Sequence, residues 1–356
     1  MDKLRRFFER TSITDIVVFA IGGLILLAVI VGTFSTLFIT RRYDSRDWFN
    51  FIVFGIALGG IYAVIAIGYT MVYGILRMIN FAHSEVFMSG PLTAYFLADY
   101  WGRNGFLDQY PVIGLVVIFA LAMTISALVA FLVERIAYRP LRFAPRLVPL
   151  ITAIGASFFL QYFFRGLYGA NIKVYPEIAA LKGTFQIGIY SIQYVQVLVI
   201  VAAAVMMIGL HVFLQNTRTG KAMRAVAEDK QTAALMGINV DRIIVTTFII
   251  GGALAGAAGV LFALMFKQVN FLMGFIPGIK AFTAAVLGGI GNVPGAMVGG
   301  LFLGLAESLG PNLFLDGLGI PAPYQLKDAI AFTMLVLVLI FRPTGILGEA
   351  LPEKKA

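Results

Sequence analysis

Long apolar runs with few or no charges leave this chain few ways to fold. They recur at about 15–39, 49–74, 111–133, 148–168, 191–214, 243–266 and 326–341, with a shorter one at 85–99. A helix rises about 1.5 Å per residue, so roughly 20 apolar residues cover the hydrocarbon of a bilayer. A soluble chain of 356 residues, 60% hydrophobic and 13% charged, with a mean hydropathy of +0.91, has no interior large enough to hide these segments. The runs therefore predict an all-α polytopic membrane protein with eight to ten transmembrane helices. The stretch from Phe275 to Leu309 is long enough for two passes or a re-entrant pair, and it is interrupted at Gly288, Gly289, Gly291 and Pro294. Broken or re-entrant segments are thus part of the expected fold.

A net charge of +9 would suggest a nucleic-acid partner in a soluble protein. Here the basic residues gather in short loops, where they set orientation, and no nucleic acid is expected. With the N-terminus in the cytoplasm, the inward segments hold 17 of the 27 basic residues. Both termini inside requires an even number of crossings. Lys3, Arg5, Arg6 and Arg10 precede the first run, which is longer than a signal-peptide core and has Phe34, Leu37 and Phe38 where cleavage needs small residues. Residues 1–48 are read as a cytoplasmic tail with a retained anchor helix, 49–345 as a transmembrane domain and 346–356 as a short cytoplasmic tail. No cysteine and only two histidines, His83 and His211, argue against a metal site, and no cofactor is expected.

Residues 218–242, RTGKAMRAVAEDKQTAALMGINVDR, form a charged, helix-forming island between apolar runs. Thr219 is the expected N-cap and Gly237 the expected stop. Arg224 and Glu228, four apart, can pair on one face, while Met223, Val226, Ala227, Ala234, Leu235 and Met236 supply apolar contacts. Such a helix lies on lipid, connects two spans, or docks into a soluble partner, and amphipathicity does not choose among these.

Two other stretches break the apolar pattern. Between residues 74 and 91 lie Arg77, Asn80, His83 and Glu85, costly at membrane depth unless paired or facing a cavity. They read either as a wet cytoplasmic turn or as an interrupted helix lining a pathway. In 284–309, Gly299, Gly300 and Gly304 allow close helix approach, and Glu307 reads as the one buried acid, either a structural contact or a pathway ligand. A phosphate loop is excluded there because its Lys-Ser/Thr is missing. Asn80, His83 and Glu307 are the pathway candidates. Two interrupted segments in opposite halves point to repeat-built transporters. The basic loop 134–147, with Arg135, Arg139, Arg142 and Arg146, is expected to face lipid phosphates or a partner. The external loop 169–190 is expected to hold a small strand pair or a docking surface.

Four ordered stretches carry a resemblance: GIYAVIAIGYTMVYGILRMINFAHSEVFMSG, ERIAYRPLR with LVPLITAIG, RAVAEDKQTAALMGIN, and GIKAFTAAVLGGIGNVPGAMVGGLFLG, with RPTGILGE near the end. From about residue 50 onward the chain resembles the LivH-type permeases, one of two membrane subunits of branched-chain amino-acid ABC importers. Ser84 stands where that family's motif usually has glycine. The resemblance implies an ABC importer permease fold and a bacterial inner-membrane location. It also implies a second homologous permease, two ATP-binding cassette subunits and a periplasmic binding protein as partners. It makes 218–242 the segment that couples to an ATPase, through Arg224, Ala227, Glu228, Asp229 and Gly237. It implies no enzymatic activity in this chain, ATP hydrolysis belonging to the partners.

Three competing readings remain. One keeps the architecture and changes the cargo to urea, short amides or other amino acids. The second is an ion-coupled secondary transporter, which would need no docking helix and would place carboxylates within its spans. The third, an intramembrane enzyme, lacks paired catalytic groups.

Overall fold

The computed structural model of the protein describes residues 13–142, 144–145, 147–342 and 344–348. The basic residues Lys3, Arg5, Arg6, Arg10 and Arg146 and most of the 346–356 tail lie outside the described residues. The principal helices are α1 (Ile13–Phe34, prolonged by a π-turn over Ser35–Thr40), α2 (Ser45–Leu76), α3 (His83–Arg103), α4 (Pro111–Leu132), α5 (Leu147–Tyr168) and α6 (Tyr194–Asn216). They continue as α7 (Arg218–Glu228), α8 (Lys230–Leu235), α9 (Val240–Phe266), α10 (Phe275–Gly288), α11 (Val293–Gly310) and α12 (Lys327–Phe341). Among the described residues eight of these, α1, α2, α4, α5, α6, α9, α11 and α12, are long and apolar enough to cross a bilayer. Among the described residues α10, with 14 residues, is a shorter apolar helix, and α3, with His83 and Glu85 in its first turn, is long but less apolar. The chain is a multi-pass membrane protein, with breaks between α2 and α3 and between α10 and α11.

Burial sorts the helices into a centre and a rim. In α2, 78% of the most apolar stretch is buried and in α9 72%, whereas in α1 only 6% is buried and in α12 only 11%. A helix that is apolar all round but bare within its own chain is stable only against hydrocarbon or another membrane-embedded chain, so α1 and α12 form the rim. In lipid, helices gain nothing by hiding apolar surface from one another, and association comes from close packing over small residues. The α2–α11 contact is built that way. A Cβ on Gly300 would come within 2.4 Å of the Ala63 backbone, and one on Gly304 within 2.2 Å of the Gly59 nitrogen. Both helices supply the missing side chains, so their backbones nearly touch.

Two short antiparallel strand pairs interrupt the helical architecture. Strands β2 (Thr184–Ile187) and β3 (Tyr190–Gln193) form a hairpin, and β1 (Lys173–Val174) pairs with β4 (Gln268–Val269). The loop expected to hold a strand pair, 169–190, holds β1, β2 and the first residue of β3; β3 runs on to Gln193, and the partner of β1 lies outside the loop. Because α6 runs from the hairpin to α7, these strands and the charged segment lie at opposite ends of the bundle. At the strand end Glu177 is paired with Lys267 and Lys182, and those two ammonium groups hold its carboxyl below the usual carboxylate range.

Candidate functional site

The charged segment is two helices, not one. Thr217, rather than the expected Thr219, caps α7: its hydroxyl accepts from the Gly220 N–H at 3.0 Å and donates to the Phe213 carbonyl at 2.7 Å. The polar cap wins two residues earlier because the chain must first turn sharply out of α6. Gly220 permits that turn, lying against Leu214, where a Cβ would come within 2.5 Å of the backbone. Met223 and Val226 are buried against the bundle, while Arg224 and Glu228 are exposed and form no ion pair with each other. At Asp229 the helix breaks. The Asp229 carboxylate caps α8, accepting from the N–H groups of Gln231 at 2.8 Å and Thr232 at 3.1 Å. The N–H and hydroxyl of Thr232, with the N–H of Gln231, keep this carboxyl below the usual aspartate range.

Gly237 ends α8 as expected, with φ of +82°. Its N–H donates to Ala234 and that of Ile238 to Ala233, the two bonds of a Schellman ending. The expectation that Leu235 and Met236 make apolar contacts fails: they are 87% and 79% exposed. The short α8 turns its buried side, Ala233, inward, and the stop at Gly237 leaves the next two apolar side chains at the tip.

Beyond its packing, α7 is fastened to the core by a hydrogen bond. Arg77, the left-handed C-cap of α2 (φ +57°), donates to the Ala227 carbonyl at 3.0 Å. Residues 77–82 then climb back into the bundle before α3 begins. His83 fills the notch left by Gly68 and stands edge-on to Tyr69, with ring centroids 4.9 Å apart. Asn80, also buried, accepts from the Tyr138 hydroxyl at 2.7 Å. This interruption is a packed break, not a wet turn.

Glu85, grouped in the sequence with Arg77, Asn80 and His83 but not among the pathway candidates, is fully buried in α3. It accepts from Gln161 at 2.8 Å and Ser157 at 3.2 Å, both on α5, and from Ser84 at 3.3 Å. Glu134 is buried too, so Glu307 is not the one buried acid, as had been expected. Glu134 pairs with Arg142, which also pairs with Asp241, and Arg139 lies 3.5 Å from Asp241. The basic loop thus spends part of its charge on the start of α9 instead of on lipid.

The second break is a tight turn between α10 and α11. Gly289 and Gly291 take φ of +105° and +100°, a region open to glycine at little cost. Asn292 caps α11, accepting from the Gly295 N–H at 3.0 Å, and Pro294 sits in the first turn, where its missing N–H costs nothing. Gly288 ends α10 and faces Gly295 so closely that neither tolerates a Cβ. Pro294 therefore starts a helix instead of breaking one. Glu307, on α11, is buried and bonded to Lys280 of α10 at 2.6 Å, a partner that the apolar surroundings of Lys280 in the sequence did not suggest.

The geometry is a lipid-embedded bundle with two packed breaks and a protruding charged segment clasped to the central helix. Residues 51–339 match the family described as branched-chain amino acid transport system / permease component. The chain is 47% identical over 308 residues to the high-affinity branched-chain amino acid transport system permease protein BraD of Pseudomonas aeruginosa, covering 85% of this chain and 96% of that one. It is 42% identical over 317 residues to the corresponding permease LivH of Escherichia coli K12, covering 88% and 98%. A more distant likeness, 29% over 206 residues and about half of each chain, joins it to the autoinducer 2 import system permease LsrC of Shigella flexneri. No solved structure matches. Matched over most of its length by the family and by both closer permeases, the chain belongs to the permease components of branched-chain amino acid transport systems.

Proposed function

We propose that this protein is a membrane subunit of an ATP-driven importer of leucine, isoleucine and valine. The observation that carries the reading is near-full-length identity of 47% to a branched-chain amino acid permease, joined to a protruding segment at one end of the bundle. In this reading a homologous second permease completes the pathway. Two ATP-binding cassette subunits hydrolyse ATP, and a periplasmic binding protein delivers the cargo at the strand end. The chain lies in the bacterial inner membrane with both termini and residues 218–242 in the cytoplasm. Arg224, Ala227, Glu228, Asp229 and Gly237 shape or present the ATPase-binding surface. Arg77 passes its motion to α2, a packing-coupled shift of rigid elements. Asn80 and His83 hold the first break, and Glu307 faces the cargo's route.

The test is uptake of radiolabelled leucine in cells lacking the protein and in cells with it restored, with valine, urea and phenylalanine as competitors. Restored uptake blocked by valine but not by urea is expected, with loss on ATP depletion. Restoration without any leucine signal would overturn the cargo, and ATP-independent uptake would overturn the importer class. Within the segment, Glu228→Lys is expected to leave insertion unchanged and to reduce co-purification of the ATPases. Unchanged association and transport would remove Glu228 from the interface.

A further inference from the structure

Four helices bring an electrically balanced cluster together within the bundle. Lys280 of α10 lies 2.6 Å from Glu307 of α11 and 2.5 Å from Asp328 in the first turn of α12. Lys327 stands 4.0 Å from Glu307, and the Tyr62 hydroxyl of α2 donates to Glu307 at 3.0 Å. Two cations face two carboxylates. The cluster is also graded in access. Lys280 and Glu307 are 3% and 2% exposed, Lys327 29% and Asp328 40%.

Beside the cluster, toward the strand end, is a recess of about 360 Å³, within the range of small-molecule sites. Phe51 and Phe54 supply its apolar wall, and Gln193, Gln196 and Ser308 its polar edge. The recess and the cluster share a boundary. Ser308 follows Glu307 and donates to the Phe51 carbonyl at 2.6 Å, and Tyr324, also lining the recess, holds the Lys327 ammonium 5.0 Å from its ring centre.

We propose that the recess and this cluster form a reception site for a zwitterionic aliphatic amino acid on its route through the protein. Charges in a low-dielectric setting are costly unless paired. A zwitterion carries one ammonium and one carboxylate, so it exchanges partners with the Lys327–Asp328 rim, and then with Lys280 and Glu307, while the balance stays at zero. A primary amine or a monocarboxylate of the same shape leaves one buried charge unmatched. Phe51 and Phe54 take up the branched side chain. The site thus discriminates by charge type, not by side-chain detail, as suits a pathway whose cargo has been selected elsewhere.

This proposal rests on the importer reading, and its test separates the two. The assembled transporter, with ATPases and binding protein, is reconstituted in vesicles as wild type, Lys327→Gln/Asp328→Asn and Lys280→Met/Glu307→Gln. Each double variant removes one charge of each sign, so the net charge of the cluster stays at zero. ATP hydrolysis stimulated by the loaded binding protein is expected to persist, while leucine delivered per ATP falls about tenfold or more. Unchanged delivery per ATP in both variants, beside a wild type that carries leucine, would overturn the site alone. Lower insertion with unchanged delivery per inserted transporter would likewise make the cluster a structural tie and overturn the proposal. A wild type that carries no amino acid would overturn the importer reading and this site with it.

Discussion

Replacing Leu235 and Met236 together by serine is expected to abolish capture of the ATPase subunits of the proposed importer while leaving the amount of inserted protein unchanged. The two side chains are 87% and 79% exposed, adjacent, and held at the tip of α8 by the Schellman ending at Gly237. Exposed substitutions away from packed features typically change stability by less than about 0.5 kcal/mol, so the fold is not at risk. At an interface the same side chains fill pockets, and centrally buried apolar anchors are commonly worth about 2 kcal/mol or more. Loss of that much weakens association roughly 30-fold for each such anchor. The measurement is co-purification of the ATPases with the tagged permease, read beside leucine uptake. Full capture together with full uptake would exclude this tip from the contact and leave the charged face of α7 as the surface.

The largest effect on the folded protein is expected from Gly304→Val. A Cβ at this position meets the Gly59 nitrogen at 2.2 Å and its Cα at 2.3 Å, both backbone atoms of the central helix. A flexible side chain can rotate away, but backbone cannot move unless α2 and α11 separate. Overpacking of a core costs about 1–3 kcal/mol even where side chains can adjust, and here the obstruction is rigid. Inserted, monodisperse protein is expected to fall several-fold. Gly155→Val is the control, since nothing lies within 4 Å of its added Cβ, and its yield is expected to match wild type. Equal yields for the two variants would refute the account of the α2–α11 contact.

Both breaks were legible in position, but only the second was legible in kind, because it is made by local chemistry. Gly289, Gly291 and Pro294 have backbone preferences that no neighbour needs to supply, and the structure puts the turn there. Gly237 announced its stop in the same way. The cap at Thr217 was missed by two residues because the choice between Thr217 and Thr219 depends on the angle at which the chain leaves α6. The exposure of Leu235 and Met236 was misread for a related reason. Helical periodicity says which residues share a face, but not what the face meets or where a helix stops turning. Asp229, a single residue, divides one expected helix into two.

The buried polar groups were the least legible. Glu85 sits 72 and 76 residues from Ser157 and Gln161 in the chain, and Glu307 sits 245 from Tyr62. Nothing in the surroundings of Lys280 in the sequence indicates which acids neutralise it.

What the sequence determined by itself was therefore the class, the spans, the two interruptions and the charged segment between α6 and α9. Each follows from hydropathy or backbone preference acting over a few residues, and the long ordered motifs fixed the family. The tertiary structure alone decided which helix is central, which acids are buried and which apolar side chains remain bare. Those outcomes depend on backbones brought within van der Waals contact by glycines far apart in the chain. They also depend on the requirement that an acid taken into the bundle find a cation there, as Glu134 and Glu307 do, or neutral hydrogen-bond donors, as Glu85 does.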